Sequence, residues 1–374
     1  MTASNPTQAI DRLLPPAGQV PIVRVQGTHA EIGFQLGSAQ APQIQAMIET
    51  YRHLFELAGA EIGLENWQEA ILHAHKYLPF AEESTPECVE ELRGLARGAG
   101  VSFDDVVVLN CMEAIASDAL HLGCTSFALS PEWTSDGSVL IGHNEDWIPE
   151  DISAVYLVHA RPEGEPAFLA LTYGALLPNI GFNECGLAQC CDSVYPNDAR
   201  IGVPRILVSR RVLAARSLAG AVQASLNPRR DAGYSHLIVH ESGEIYNVEI
   251  SARQFAMLYA SDGLAVHTNN YLDRRMKAIE KNPDSLINSQ IRYNRARRLL
   301  ETQRGRADRL SIRTVLSDHV NYPHSICNHI SSDDLLLDRQ QTIVSLTIDL
   351  TARRMEVAWG TPCRAEFFGY ELEA

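Results

Sequence analysis

The sequence predicts an α/β protein built in layers, with mainly antiparallel sheets. Positions 1–123 carry capped helical patterns, whereas from Cys124 onward short β-type runs are separated by turns. The strands fall into two blocks, with helical stretches enough to cover both. They follow one another through turns rather than alternating singly with helices, which favours antiparallel pairing over a doubly wound sheet. The chain has 374 residues, 45% hydrophobic and 21% charged, enough for one large domain or two ordinary ones around a sizeable core.

Pro21-Ile22-Val23-Arg24-Val25 is a short strand, and Gly27 and Thr28 lead into a helix from His29 to the fifties. Trp67 to Tyr77 carries a second helical pattern. Pro86 to Gly98 is a third, with proline at its start, acidic residues in its first turns, and Gly98 and Gly100 closing it. Ser102 then caps a helix running through Asn110 and Glu113 toward Ala119, and Asp105 adds negative charge at its positive end. Phe127–Ser130 and Val139–Gly142 are apolar runs around the turn Ser135-Asp136-Gly137. Strands follow at 155–158 and 168–171, then a strand, tight turn and strand over Ile180–Ala188. Helices at 205–214 and 219–224 precede strands at 236–240 and 246–250, joined by the hairpin turn Glu241-Ser242-Gly243-Glu244. A helix over Ser289–Thr302, with Ser289 as its cap, leads to late strands at 342–349 and 354–359.

The formal charge of −15 argues against nucleic acid or an anionic membrane as partner, the cluster Arg292 to Arg298 being a local exception. No apolar run reaches the roughly 18 residues a membrane helix needs. Met1-Thr2-Ala3-Ser4-Asn5-Pro6 lacks the basic and apolar regions of a secretory leader. The eight cysteines lack C-x-x-C pairs and read as mostly reduced thiols in a cytoplasm. His319, His324, Cys327 and His329 sit close together, but Pro323 interrupts them and the spacing matches neither a zinc finger nor H-E-x-x-H, so no metal is assigned. No dinucleotide or phosphate-binding motif stands in its required context, and no cofactor is expected.

The chemistry centres on Gly123-Cys124. A thiol at a strand start, behind a glycine that clears bulk from the preceding peptide bond, can attack that bond and leave a chain beginning with Cys124. The freed α-amine, with a typical pKa of about 7.7–8.0, then serves as a built-in base for the thiol. The return strand ends in His143-Asn144-Glu145-Asp146-Trp147. It brings Asp146 back to accept from or orient the new amine, with Asn144 a second candidate or a plain turn residue. Asn269, in Val266-His267-Thr268-Asn269-Asn270-Tyr271, is the candidate oxyanion donor, a local turn bond being the other reading. Arg292 can steady a carboxylate such as Asp146 or bind one on a substrate, or lie on a surface.

These residues, in this order, resemble the acyl-coenzyme A:6-aminopenicillanic acid acyltransferase family, the C45 peptidase-like branch of the N-terminal nucleophile hydrolases. The blocks are Arg24 to Gly33, Glu90 to Ala96 with Asn110 and Glu113, Gly123-Cys124-Thr125, Gly142 to Trp147, Asn183 to Leu187, Gly202 to Arg205, and His267-Thr268-Asn269. The resemblance implies a four-layer αββα sandwich of two antiparallel sheets, made by two chains from one precursor. Cleavage between Gly123 and Cys124 would give a mainly helical segment 1–123 and a nucleophile-bearing segment 124–374, together one catalytic domain and a heterodimer of fragments, with higher homo-oligomers left open. It implies Cys124 as nucleophile, Asp146 orienting its amine, Asn269 as oxyanion donor and Arg292 close by. His143, Asn144, Glu145 and His267 are the candidate substrate contacts. Two departures stand out. Related bile-salt and penicillin V hydrolases carry arginine at the place of His143, and the penicillin-forming enzymes carry glutamine there and tryptophan at the place of Glu145. An acid at 145, near the pocket mouth, points to amine-bearing leaving groups.

The expected activity is hydrolysis of a small linear amide or N-acyl compound through a thioester on Cys124. Acyl transfer to an amine is the alternative, since both share the acyl-enzyme. A cysteine hydrolase using His267 as a remote base and a non-catalytic scaffold are the further alternatives.

Overall fold

The computed structural model describes residues 18–116 and 123–373, so the last part of the helix expected toward Ala119 lies outside the described residues. The helices are α1 (His29–Ala39), α2 (Ala41–Ile62), α3 (Trp67–Ala74), α4 (Leu78–Ser84), α5 (Pro86–Ala99), α6 (Phe103–Asn110), α7 (Met112–Ile115), α8 (Arg205–Leu213), α9 (Leu218–Ser225), α10 (Arg274–Lys277), α11 (Ile287–Glu301) and α12 (Arg309–Leu316). The strands are β1 (Ile22–Gly27), β2 (Cys124–Leu129), β3 (Leu140–Trp147), β4 (Val155–Pro162), β5 (Phe168–Tyr173), β6 (Ile180–Asn183), β7 (Leu187–Ser193), β8 (Tyr234–His240), β9 (Ile245–Ile250), β10 (Phe255–Tyr259), β11 (Leu264–His267), β12 (Gln341–Asp349), β13 (Arg354–Trp359) and β14 (Phe367–Glu371).

They form an eight-stranded sheet, β1-β4-β5-β6-β7-β8-β9-β10, and a six-stranded sheet, β11-β2-β3-β12-β13-β14. The sheets face each other, with β2 and β11 against β7, β8 and β9. Helices α1, α8 and α9 cover the outer face of the larger sheet, and α11 and α12 that of the smaller. The result is the expected αββα sandwich, with one correction: β1 runs parallel to β4. A chain that leaves β1 directly into α1 approaches β4 from across the molecule, so a tight antiparallel turn is not available to that pair.

Local chemistry explains several boundaries. Thr28 accepts from the Glu31 N–H while Glu31 reaches back to the Thr28 N–H, a capping box that starts α1. The long helix expected from His29 breaks at Gln40, because Pro42 occupies the first turn of a new helix, α2. The second predicted helix likewise ends at Ala74, and Pro79 lies in the first turn of α4, which begins at Leu78. Gly98 does not close α5, which ends at left-handed Gly100. Instead Gly33 and Gly37 of α1 and Gly94 and Gly98 of α5 let two helix backbones touch: a Cβ on Gly94 would lie 2.2 Å from the Ala30 carbonyl oxygen.

Strand alternation sorts the site residues by face. In β2, Ala128 enters the core between the sheets, while Phe127 and Leu129 pack under α11 and α12. In β3, Ile141 and Trp147 face between the sheets and Leu140 faces the helices. Cys124, Ser126, His143 and Glu145 therefore share the intersheet face, and Thr125, Asn144 and Asp146 the other.

Candidate active site

Cys124 opens β2, and its register partner on β3 is Glu145. The Cys124 thiol donates to Glu145 Oε2 at 3.6 Å, and Tyr173 OH donates to Glu145 Oε1 at 3.0 Å. Glu145 Oε2 is also 2.9 Å from His143 Nε2. On the far side of that ring, Nδ1 lies 2.9 Å from Ser126 Oγ, which donates to Asp192 on β7. A continuous polar chain thus runs from the thiol across the sheet interface to Asp192. Cys124 is buried, and desolvation, aided by Glu145, Asp192 and Asp146, pushes its thiol well above its ordinary range. The Cys124 thiol is thereby held protonated.

The preceding peptide is gripped from several directions. The Asp146 N–H donates to the Gly123 carbonyl oxygen at 2.9 Å, and the same N–H lies against the Cys124 sulfur and opposes the rise in its pKa. The Cys124 N–H donates to Asn269 Oδ1 at 2.9 Å. Arg292, projecting from α11, donates to the Cys124 carbonyl oxygen, to Thr125 Oγ1 at 2.8 Å and to Asn269 Oδ1 at 2.7 Å. Asn269 is seated by its own backbone, whose N–H donates to Ser289 Oγ, and by Nδ2, which donates to the Ser193 carbonyl.

Asp146 is fully buried. Its Oδ1 accepts from Thr342 Oγ1 at 2.6 Å, whereas among the described residues Oδ2 accepts no hydrogen bond. That bare oxygen faces Gly123: a Cβ built there would lie 3.1 Å from it. Burial raises the Asp146 carboxyl to about 7, against the opposing pull of Arg292 and the Thr342 hydrogen bond.

Cys124, Asp146, Asn269 and Arg292 thus come together around one peptide bond, but in roles the sequence did not resolve. Arg292 makes its hydrogen bonds to the Cys124 carbonyl, Thr125 and Asn269 rather than to Asp146. Asn269 turns its oxygen, not its N–H₂, toward Cys124, because two donors converge on that atom. Ser289 lies inside α11 and fastens the 268–270 turn instead of capping the helix. Glu145 is not at a pocket mouth; it is buried against the Cys124 thiol. Asn144 faces away from the intersheet space and donates to the Leu316 and Ile326 carbonyls, which makes it a structural pin. His267 is also no open substrate contact: it is fully buried between Glu249 (3.1 Å) and Asp192 (3.4 Å). Burial lowers its pKa, but the hydrogen bonds and charges of Asp192 and Glu249 outweigh that and raise it to about 9, which disfavours a role as remote base. Tyr173, Ser126, Asp192 and Thr342 join the site without having been singled out from sequence. Only alternation along β2 and β3 hinted at Ser126; the others come from separate strands.

Cys124, His143 and Glu145 place three ligand atoms within 4.8 Å of one another, and so do His319, Cys327, His329 and Cys363 with four. In the first set the hydrogen bonds above already account for the proximity. No helix among the described residues is long and apolar enough to cross a membrane.

The model of the acyl-coenzyme A:6-aminopenicillanic acid acyl-transferase family matches residues 133–364, a span that begins after Cys124 and holds Asp146, Asn269 and Arg292. A β-alanyl-dopamine/carcinine hydrolase of Drosophila melanogaster is 26% identical over 235 residues, 55% of this chain and 57% of that protein. An uncharacterized protein of Archaeoglobus fulgidus is 26% identical over 273 residues, 64% of this chain and 45% of that one. The chain thus spans about half the length of these curated relatives. A conjugated bile acid hydrolase from Clostridium perfringens superposes with a TM-score of 0.47 at 14% identity, over 67% of this chain and 97% of that one. With the family model covering more than half of its residues, the chain belongs to the acyl-coenzyme A:6-aminopenicillanic acid acyl-transferase family.

Proposed function

We propose that this protein is a precursor that cuts itself between Gly123 and Cys124 and then works as an amidohydrolase with Cys124 as its N-terminal nucleophile. One observation carries the reading: a buried carboxylate oxygen of Asp146, which accepts no hydrogen bond among the described residues, faces Gly123 at the bond that would be cut. A buried carboxylate oxygen that accepts no hydrogen bond is costly, and a new ammonium on Cys124 would donate to it.

In the cutting step, Glu145 Oε2 takes the thiol proton and the sulfur attacks the Gly123 carbonyl carbon. The Asp146 N–H already holds the oxygen on which charge develops. Collapse breaks the Gly123–Cys124 C–N bond, the nitrogen takes up a proton, and water hydrolyses the Gly123 thioester to a carboxylate. The freed amine remains beside Asn269 Oδ1 and gains Asp146 Oδ2. In turnover that amine takes the thiol proton, and sulfur attacks a substrate amide. The amine product leaves and water resolves the thioester. If a second amine resolves it instead, the same enzyme is an acyltransferase, the activity for which the family is named. Asn269 serves as oxyanion donor only if its amide turns over once the Cys124 N–H is released; Arg292 then keeps it in place.

The substrate we propose is a small linear amide or N-acyl compound bearing an amine. Glu145, Asp192 and Asp146 make the surroundings of the thiol acidic, and the fly relative is named for hydrolysing β-alanyl-dopamine and carcinine. The two fragments would stay associated, because β1 pairs with β4 and Ile44, Phe55, Leu92 and Val106 belong to the core that includes Ile141 and Leu157. A reducing cytoplasm suits a thiol nucleophile. Intact-mass spectrometry of the purified protein tests the proposal: two fragments, the second starting at Cys124, are expected, and Cys124→Ala should remain whole. An active preparation made only of unbroken chain would overturn it.

A further inference from the structure

We infer that His319, Cys327, His329 and Cys363 form a structural zinc site, separate from the Cys124 centre. His329 Nε2 lies 3.1 Å from His319 Nε2, 3.4 Å from Cys327 Sγ and 3.5 Å from Cys363 Sγ. A ring nitrogen has one in-plane direction for a hydrogen bond, so it cannot bond three partners at once. Four donors around one cation account for all three spacings. With Zn–N of about 2.0–2.1 Å and Zn–S of about 2.3 Å, a tetrahedron has N···N edges of about 3.3 Å and N···S edges of about 3.6 Å. The observed distances lie within about 0.2 Å of those edges, and all four ligand atoms lie within 4.8 Å of one another. Two thiolates and two neutral imidazoles balance a dication, and a mixed S₂N₂ set suits tetrahedral zinc. His324 is not a ligand, since its Nε2 pairs with Asp334 at 3.2 Å.

The ligands come from three places in the chain: the segment after α12, the 327–329 loop and the turn between β13 and β14. Cys327 and His329 are buried, while His319 and Cys363 are exposed, which leaves a route for the ion. Between the two buried ligands, the Asn328 backbone is tied to Thr342, its N–H donating to the side-chain Oγ1 and its carbonyl accepting from the Thr342 N–H. Thr342 holds Asp146. The metal would therefore brace the loop behind the carboxylate that faces Gly123.

The test uses the full-length chain, purified without chelator and kept reduced. Elemental analysis should find one zinc per chain. Co²⁺ exchanged into the site should show tetrahedral d–d bands with sulfur-to-cobalt charge transfer. Cys327→Ser and Cys363→Ser should each lose the metal and these bands, and His324→Ala should keep both. If the serine variants fail to fold, Cys363→His, which retains a ligand, should still bind Co²⁺ with weaker charge transfer. Reduced wild-type protein that holds no zinc and takes up no Co²⁺ would overturn the inference. So would a cobalt spectrum unchanged by Cys363→Ser, or a Cys327–Cys363 disulfide whose reduction yields no metal uptake.

Discussion

Replacing Asp146 with asparagine should make the uncut protein more stable at high pH and leave it nearly unchanged at low pH. The comparison belongs in a Cys124→Ala background, where no new amine can form. The Asp146 carboxyl is raised from its ordinary 3.8 to about 7, chiefly by burial. Below 3.8 folded and unfolded chains both hold the proton, and stability is at its fullest. As pH rises the unfolded chain releases the proton first, so stability falls until the folded carboxyl also ionises near 7. At about 1.4 kcal/mol per pH unit the whole loss is about 4 kcal/mol, of which about 3 kcal/mol develops between pH 5 and pH 8. Urea unfolding of Cys124→Ala and Cys124→Ala/Asp146→Asn at those two pH values gives the number directly. The stability gain from asparagine should grow by about 3 kcal/mol on going to pH 8. A gain independent of pH would show that burial does not destabilise the ionised Asp146, and the argument for its waiting on an amine would fail with it. In the cut wild-type enzyme an ammonium beside Oδ2 should lower the Asp146 pKa and flatten this dependence.

Glu145→Gln keeps the shape but cannot take the thiol proton; self-cutting followed by gel and mass should slow by about 100-fold or more, the scale of a general base. The same variant, cut in trace or slowly, should lose preference for cationic over neutral amides if the carboxylate selects substrate. Arg292→Lys replaces a fork that serves three acceptors with a single ammonium, and cutting should slow by up to about 100-fold through misplacement of Cys124 and Asn269. Gly94→Ala forces a methyl against the α1 backbone and should cost about 1–3 kcal/mol in urea unfolding without changing the processing site. Glu91→Gln removes the buried partner of Arg210 (3.1 Å) and His29 (2.9 Å) and should cost about 3–5 kcal/mol. His29 is raised to about 9 by Glu165 and Glu91 against burial, so its contribution is complete below 6.5 and disappears as pH rises through about 9. In Glu91→Gln that alkaline loss should shrink.

Local patterning alone determined a great deal of this protein. The change from helical to β-type runs at Cys124, the turn at Ser135-Asp136-Gly137 and the return through Val139 specify a hairpin, and a hairpin brings residues 143–147 back to Cys124. The faces came from the register of β2 on β3, which puts Glu145 beside the thiol rather than at a pocket mouth and Asp146 on the opposite side, next to Gly123. The strands at Phe255–Tyr259 and Phe367–Glu371 escaped notice because, as sheet edges, their short apolar runs lack the alternation that marks a half-buried strand. The parallel pairing of β1 with β4 was out of reach for another reason, since it joins segments more than a hundred residues apart. The same limit governs the sites. Whether Asn269 offers its oxygen or its N–H₂ depends on where Arg292 and Ser193 end up, and Tyr173, Asp192 and Thr342 reach the site from three separate strands. Cys363 stands far along the chain from His329, so the spacing of His319, Cys327 and His329 looked incomplete. Hydrogen bonds and ligand sets are fixed by distance in space, and only the packing of two sheets and their helices supplies that distance.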